Sequence, residues 1–132
     1  MSGRRKKAGW ILTGLLTALF LLSAGAKFGG LAQIVENFET FDLQHMRYVI
    51  GAGEVASAVL YAVPVTASLG VLLLSAYMGG AIVTHMANGE PYIAQSIILI
   101  LIWLGYYLRY PEMLISFTRK DNPIGADSEL DA

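Results

Sequence analysis

The chain has 132 residues, 55% of them hydrophobic and only 14% charged, with a formal net charge of -1. That length allows one domain, and a soluble domain usually carries about 25% charged residues, so this surface is starved of charge. Without a basic stripe interleaved with aromatics there is no case for nucleic acid as a partner. The lack of cysteine excludes a disulfide framework, CxxC redox chemistry and thiolate metal ligation.

Residues 8–26 carry no charge. As a helix they cross about 28 Å, close to the hydrocarbon thickness of a bilayer. Arg4, Arg5, Lys6 and Lys7 precede this stretch and Lys27 closes it. The basic start, apolar middle and Ala24-Gly25-Ala26 also fit a cleaved signal peptide, but the apolar stretch is long for one, and an uncleaved first span is expected. Residues 31–42 read as a short amphipathic helix. Leu31, Ile34, Val35 and Phe38 share a face, with Glu36 and Glu39 away from it. It either lies in the outer interface, caps the bundle, or is an ordinary loop with a helical turn.

The uncharged run over 55–89 would reach about 50 Å as one helix, too far for a bilayer. Pro64 is the natural break, because it lacks an N–H and clashes with the preceding turn. Spans are therefore expected at 48–63 and 68–86, joined by a tight turn over 64–67. A short outer turn at 87–91 leads to a fourth span at 92–108, ended by Arg109 and Pro111. The polar stretch 119–132 reads as a disordered tail. The predicted fold is all-α: one domain over 1–118, a polytopic four-transmembrane-helix bundle with a short amphipathic helix between helices 1 and 2.

Basic residues set the expected orientation. With the N-terminus inside, Arg4, Arg5, Lys6, Lys7, Arg109, Arg119 and Lys120 are inside and only Lys27 and Arg47 outside. Both termini are expected in the cytoplasm, with the chain integral to the plasma (inner) membrane. Trp10 fits an inner interfacial anchor, and Trp103, Tyr106, Tyr107 and Tyr110 an inner aromatic belt. Small residues four apart mark candidate helix contacts: Gly14 with Ala18, Gly53 with Ser57, Ser75 with Gly79, and Ala76 with Gly80. The last two pairs make the third span the candidate central helix.

Glu54 is the most informative polar residue. It lies about 10 Å below the outer surface, where an acid costs roughly 2.5–3.5 kcal/mol and needs a partner. Arg47, Glu54, Ser57 and Tyr61 form one stripe along the second span. Lys27, His85 and Gln95 bring polar groups to similar depth from the other three. Lys27, Arg47, Glu54, Tyr61, His85 and Gln95 are thus the candidate pocket, with Lys27 the preferred partner of Glu54. The residues alone leave open whether this cluster holds the bundle together or forms a ligand or proton site. Two histidines, His45 and His85, and a carboxylate without regular spacing make no metal site, and no catalytic triad is visible.

Three segments resemble the DoxX-like family of small four-helix membrane proteins. They are Ser23-Ala24-Gly25-Ala26-Lys27-Phe28, the stretch Gly51-Ala52-Gly53-Glu54-Val55-Ala56-Ser57 running on to Pro64, and Leu69-Gly70 through Ala76-Tyr77-Met78-Gly79-Gly80-Ala81-Ile82-Val83-Thr84-His85. The resemblance covers about residues 10–110 and implies a four-helix bundle. It links the chain to a family named after proteins associated with a thiosulfate:quinone oxidoreductase, with other relatives tied to redox stress or membrane-protein assembly. The turn after Pro64, often basic in relatives, is Val65-Thr66-Ala67-Ser68 here.

Three functions are weighed. The first is an accessory or anchoring subunit of a membrane-associated redox complex, without catalysis of its own. Its partners would be the lipid bilayer, a membrane or peripheral protein, and a second copy of the chain. The second is an oxidoreductase component holding a quinone or lipid-like ligand near Glu54 and Lys27. The third is a small-solute or proton pathway, disfavoured because no second broken helix is evident.

Overall fold

The computed structural model describes residues 2–114, whose regular structure is entirely helical. Five helices run in order: α1 (Ser2–Gly29), α2 (Ala32–Thr40), α3 (Arg47–Ala62), α4 (Ala67–Ala87) and α5 (Ile93–Arg109). The tail predicted over 119–132 lies outside the described residues. α1 packs along α3 and α5, and α4 packs along the same two, so the long helices close a ring. The core between them is formed by Leu16 and Phe20 of α1, Ala58 and Tyr61 of α3, Val71, Leu74 and Met78 of α4, and Ile102 of α5.

The helices are less equal than the sequence suggests. Gly3–Gly29 and Pro64–Ala87 are long and apolar enough to cross a membrane. α5 is apolar but has 17 residues, and α3 has 16, or about 24–26 Å of rise. α1 extends beyond the expected 8–26 at both ends, so Arg4 to Lys7 are helical and the segment Ala24-Gly25-Ala26 lies within a continuous helix.

Pro64 divides α3 from α4 as its chemistry requires. Val63 before it is extended (φ -77°, ψ 126°), the conformation that a following proline imposes. The break orphans the last carbonyls of α3. Val63 N–H donates to Val59 O at 3.1 Å, and Thr66 Oγ1 donates to Leu60 O at 2.9 Å. Arg109 donates to Tyr61 O at 2.9 Å and Ala62 O at 3.5 Å. A cation at this end also complements the helix dipole.

A left-handed residue lies just outside each cap of α2. Gly30 has φ 67° and Asp42 φ 57°. After α2, Leu43 N–H reaches Phe38 O at 2.8 Å and Asp42 N–H reaches Glu39 O at 3.1 Å, the double bond of a Schellman motif with Asp42 where glycine is usual. An aspartate pays a steric cost there that glycine does not. Asp42→Gly is therefore expected to stabilise the protein by about 0.5–1 kcal/mol, read as a raised unfolding midpoint in detergent; a lowered midpoint would contradict the motif.

Close backbone approach occurs at glycines other than those predicted. A Cβ on Gly70 would overlap the Tyr61 backbone, and one on Gly9 would lie 2.9 Å from Leu108 Cβ. One on Gly105 would lie 2.6 Å from Tyr61 Oη. Gly14, Gly53, Gly79 and Gly80 would meet nothing within 4 Å, so the expected contact pairs are not the close approaches. Nor is α4 central, since it touches α3 and α5 just as α1 does. Small-residue spacing defines a helix face, but neighbouring helices decide which face is used.

Candidate ligand-binding site

A cavity of about 570 Å³ opens above the core, at the end of the ring where α2 lies. α1 contributes Leu19, Phe20, Ser23 and Lys27 to its wall, and α3 contributes Ile50 and Glu54. α4 lines it from Ala76 to His85, α5 through Gln95 and Ile98, α2 through Ile34, Asn37 and Phe38, and the turn after α2 through Phe41. The amphipathic pattern accounts for α2's position: Phe38 is buried and Ile34 half-buried, while Glu36 and Glu39 are exposed. Leu31, expected on the buried face, is 59% exposed, because it lies in the turn before the helix starts.

The charged centre of the cavity is an ion pair. Lys27 Nζ donates to Glu54 Oε2 at 2.7 Å, with side-chain exposures of 7% and 1%. The same ammonium donates to Ser23 Oγ, one turn earlier on α1, at 2.7 Å. It lies 5.9 Å from the centre of the Tyr77 ring, and Tyr77 meets Phe20 edge-on at 6.2 Å. Two ions so deeply removed from water persist only when paired and hydrogen-bonded.

A second polar pair lies between α4 and α5. Gln95 Nε2 is 3.2 Å from His85 Nε2. His85 Nδ1 and Gln95 Oε1 are both buried and have no hydrogen-bond partner among the described residues. The Phe41 ring stands edge-on to the imidazole, with centroids 5.0 Å apart. His45 lies exposed in the turn after α2, outside the cavity wall. Among the described residues no three His, Cys, Asp or Glu side chains gather into a metal site.

Of the six residues expected to share a pocket, the structure brings together Lys27, Glu54, His85 and Gln95 and leaves out Arg47 and Tyr61. All the α3 residues share a face, but not a depth. Arg47 is the first residue of α3; its guanidinium bonds the Tyr48 hydroxyl at 2.9 Å and lies against the Gly30 backbone. Tyr61 is two turns beyond Glu54, fully buried, and donates to Ile102 O at 2.8 Å. Ser57 donates back to Gly53 O of its own helix at 2.7 Å.

Sequence reasoning missed Ser23, Tyr77 and the surroundings of Arg109. Ser23 was findable, since a residue four before Lys27 shares its helix face. Arg109, read as a terminating charge, is only 3% exposed. It donates to Thr13 Oγ1 at 3.3 Å and stacks 4.0 Å from the Trp10 ring centre. Trp10 is thus a cation–π partner as well as a half-exposed aromatic. Trp103, assigned to an inner aromatic belt, donates to Ser75 Oγ of α4 at 2.9 Å.

No curated protein and no solved structure matches this chain. A model of the DoxX-like family matches residues 11–106, from the first turns of α1 to near the end of α5, and this stretch contains every residue of the cavity wall. The match and the two long apolar helices together support membrane association. The chain belongs to the DoxX-like family.

Proposed function

We propose that α1, α3, α4 and α5 each cross the plasma (inner) membrane as a four-helix bundle, with both termini cytoplasmic. In the outer half of this bundle the cavity takes up a lipid-like or quinone ligand. The chain then serves as the ligand-binding accessory component of a membrane-associated redox complex, with no catalysis of its own.

The observation that carries the ligand reading is the cavity itself. Its volume of about 570 Å³ falls in the usual range for small-molecule sites, and its wall is largely apolar with a few convergent polar groups. The membrane reading is supported by the outward faces: Leu15, Leu22, Val83 and Ile100 are 63–75% exposed. α4 is apolar all round, as suits a helix bathed in lipid on one side and protein on the other. The short rise of α3 and α5 is accommodated by local thinning of the bilayer. Arg4, Lys6 and Lys7, exposed at the start of α1, support a cytoplasmic N-terminus. The packed layer of Leu16, Leu74 and Ile102 below the cavity, each 4% exposed or less, speaks against a through path for solute or protons.

Purification in mild detergent, followed by mass spectrometry of bound lipids, quinones and proteins, tests the proposal. The wild type is expected to retain a small amphiphile near one per chain. Ala81→Phe, which places a ring in the cavity wall, is expected to retain at least tenfold less. Equal retention by both proteins, or none by either, would remove the ligand-binding function.

A further inference from the structure

The N-terminal end of α1 concentrates positive charge that no acid among the described residues pairs with. Arg4, Arg5, Lys6 and Lys7 lie in succession at the start of the helix, and its first turn holds no acid. Arg4, Lys6 and Lys7 are exposed and Arg5 is half-buried. Among the described residues the ion pair is Lys27 with Glu54, far from this end. Two effects oppose cations here. The N-terminal end of a helix already carries a partial positive charge. Like charges three residues apart, as at Arg4 and Lys7, repel across one helix face. An anion seated between the two side chains offsets both.

The face that carries Arg4 and Lys7 identifies the anion. Arg4, Lys7, Ile11 and Leu15 are spaced by three, four and four residues, so they fall on one side of α1. That side points away from the bundle. Ile11 is 57% and Leu15 66% exposed, whereas Thr13, Leu16 and Phe20 on the opposite side are 4% exposed or less. Two cations thus stand at the end of a bare apolar strip, with about 6 Å of rise from Lys7 to Ile11. Helical side chains lean toward the N-terminus, and the long basic stems carry their heads further from the strip. Trp10, half-exposed at the level between, suits the headgroup region. A soluble anion uses the cations alone. A phospholipid of net negative charge uses both parts, its phosphate against Arg4 and Lys7 and its acyl chains along Ile11 and Leu15. Resting on the four-span membrane reading above, we infer that this face of α1 is a binding site for an anionic phospholipid of the cytoplasmic leaflet. It is separate from the cavity, whose wall on α1 begins at Leu19.

The test places the full chain in phosphatidylcholine nanodiscs that contain a minor share of phosphatidylglycerol. Native mass spectrometry then counts the lipids that stay on the protein. Each cation near an anionic membrane surface is worth roughly fivefold in affinity. Wild type is expected to retain phosphatidylglycerol roughly tenfold or more above its share of the bilayer. Arg4→Gln with Lys7→Gln is expected to abolish that enrichment. Arg4→Lys with Lys7→Arg keeps both charges and is expected to keep it. Arg5→Gln with Lys6→Gln removes the same charge away from this face and is expected to keep most of it. Equal loss from the two glutamine pairs would reduce the effect to bulk charge and overturn the site. Displacement of the lipid by excess inorganic phosphate would assign the cations to a soluble anion, and wild-type retention in mere proportion to the bilayer would show no site; either overturns the proposal while leaving the membrane reading intact. A chain that does not enter nanodiscs overturns both.

Discussion

Glu54→Ala is expected to destabilise the protein by about 3–5 kcal/mol, the cost of breaking a buried ion pair from one side. The variant strands Lys27, which is 5% exposed and keeps only Ser23 and the Tyr77 ring as polar company. Lys27→Ala should cost a comparable amount, because Glu54 is 1% exposed and loses the ammonium bonded to it. Glu54→Gln should be milder, since the amide oxygen still accepts from Lys27 while the charge is lost. The double variant Glu54→Ala with Lys27→Ala leaves a small cavity but no stranded charge. It should be less harmful than the two single costs added together, by roughly 2 kcal/mol of coupling. Thermal or denaturant unfolding in detergent across the four proteins measures that coupling. Additive costs would show that the 2.7 Å contact carries no interaction energy.

Gly70→Ala is the second large effect. The backbones of α3 and α4 meet there so closely that a methyl group would overlap Tyr61. Backbone cannot give way as a flexible side chain does, so the helices must part. Parting them also disturbs Tyr61, whose hydroxyl is fastened to Ile102 O and whose carbonyl accepts from Arg109. A loss of about 3 kcal/mol is expected, at the upper end for overpacking, and Gly70→Val should fail to fold. Gly53→Ala and Gly79→Ala, with nothing near the added carbon, should be neutral or slightly stabilising because alanine is the better helix former. Unfolding midpoints that rank Gly53→Ala or Gly79→Ala below Gly70→Ala would contradict the packing described.

The sequence by itself determined the helices and their breaks, because those depend on neighbours in the chain. The uncharged stretches, Pro64 with its extended predecessor, and the alternation around Phe38 and Glu39 are local properties. The family likeness was legible for a similar reason: its segments keep their order and spacing whatever they touch. The pairing of Lys27 with Glu54 was also within reach, since an acid placed deep in an apolar helix needs a partner, and only Lys27 brings a lasting positive charge to that depth.

Tertiary structure alone decided which faces meet and at what level. Gly70 and Gly53 look equivalent in sequence, yet the first adjoins another backbone and the second open space. Arg47, Glu54 and Tyr61 share a stripe, but a spacing of seven positions puts each about 10 Å from the next in depth. Only the middle one reaches the cavity. Arg109 has the position of a terminating surface charge, yet it folds inward onto the carbonyls orphaned by Pro64. Helical periodicity fixes the angle of a residue around its own axis; the distance along that axis at which it meets a neighbour comes from the packing of the other helices.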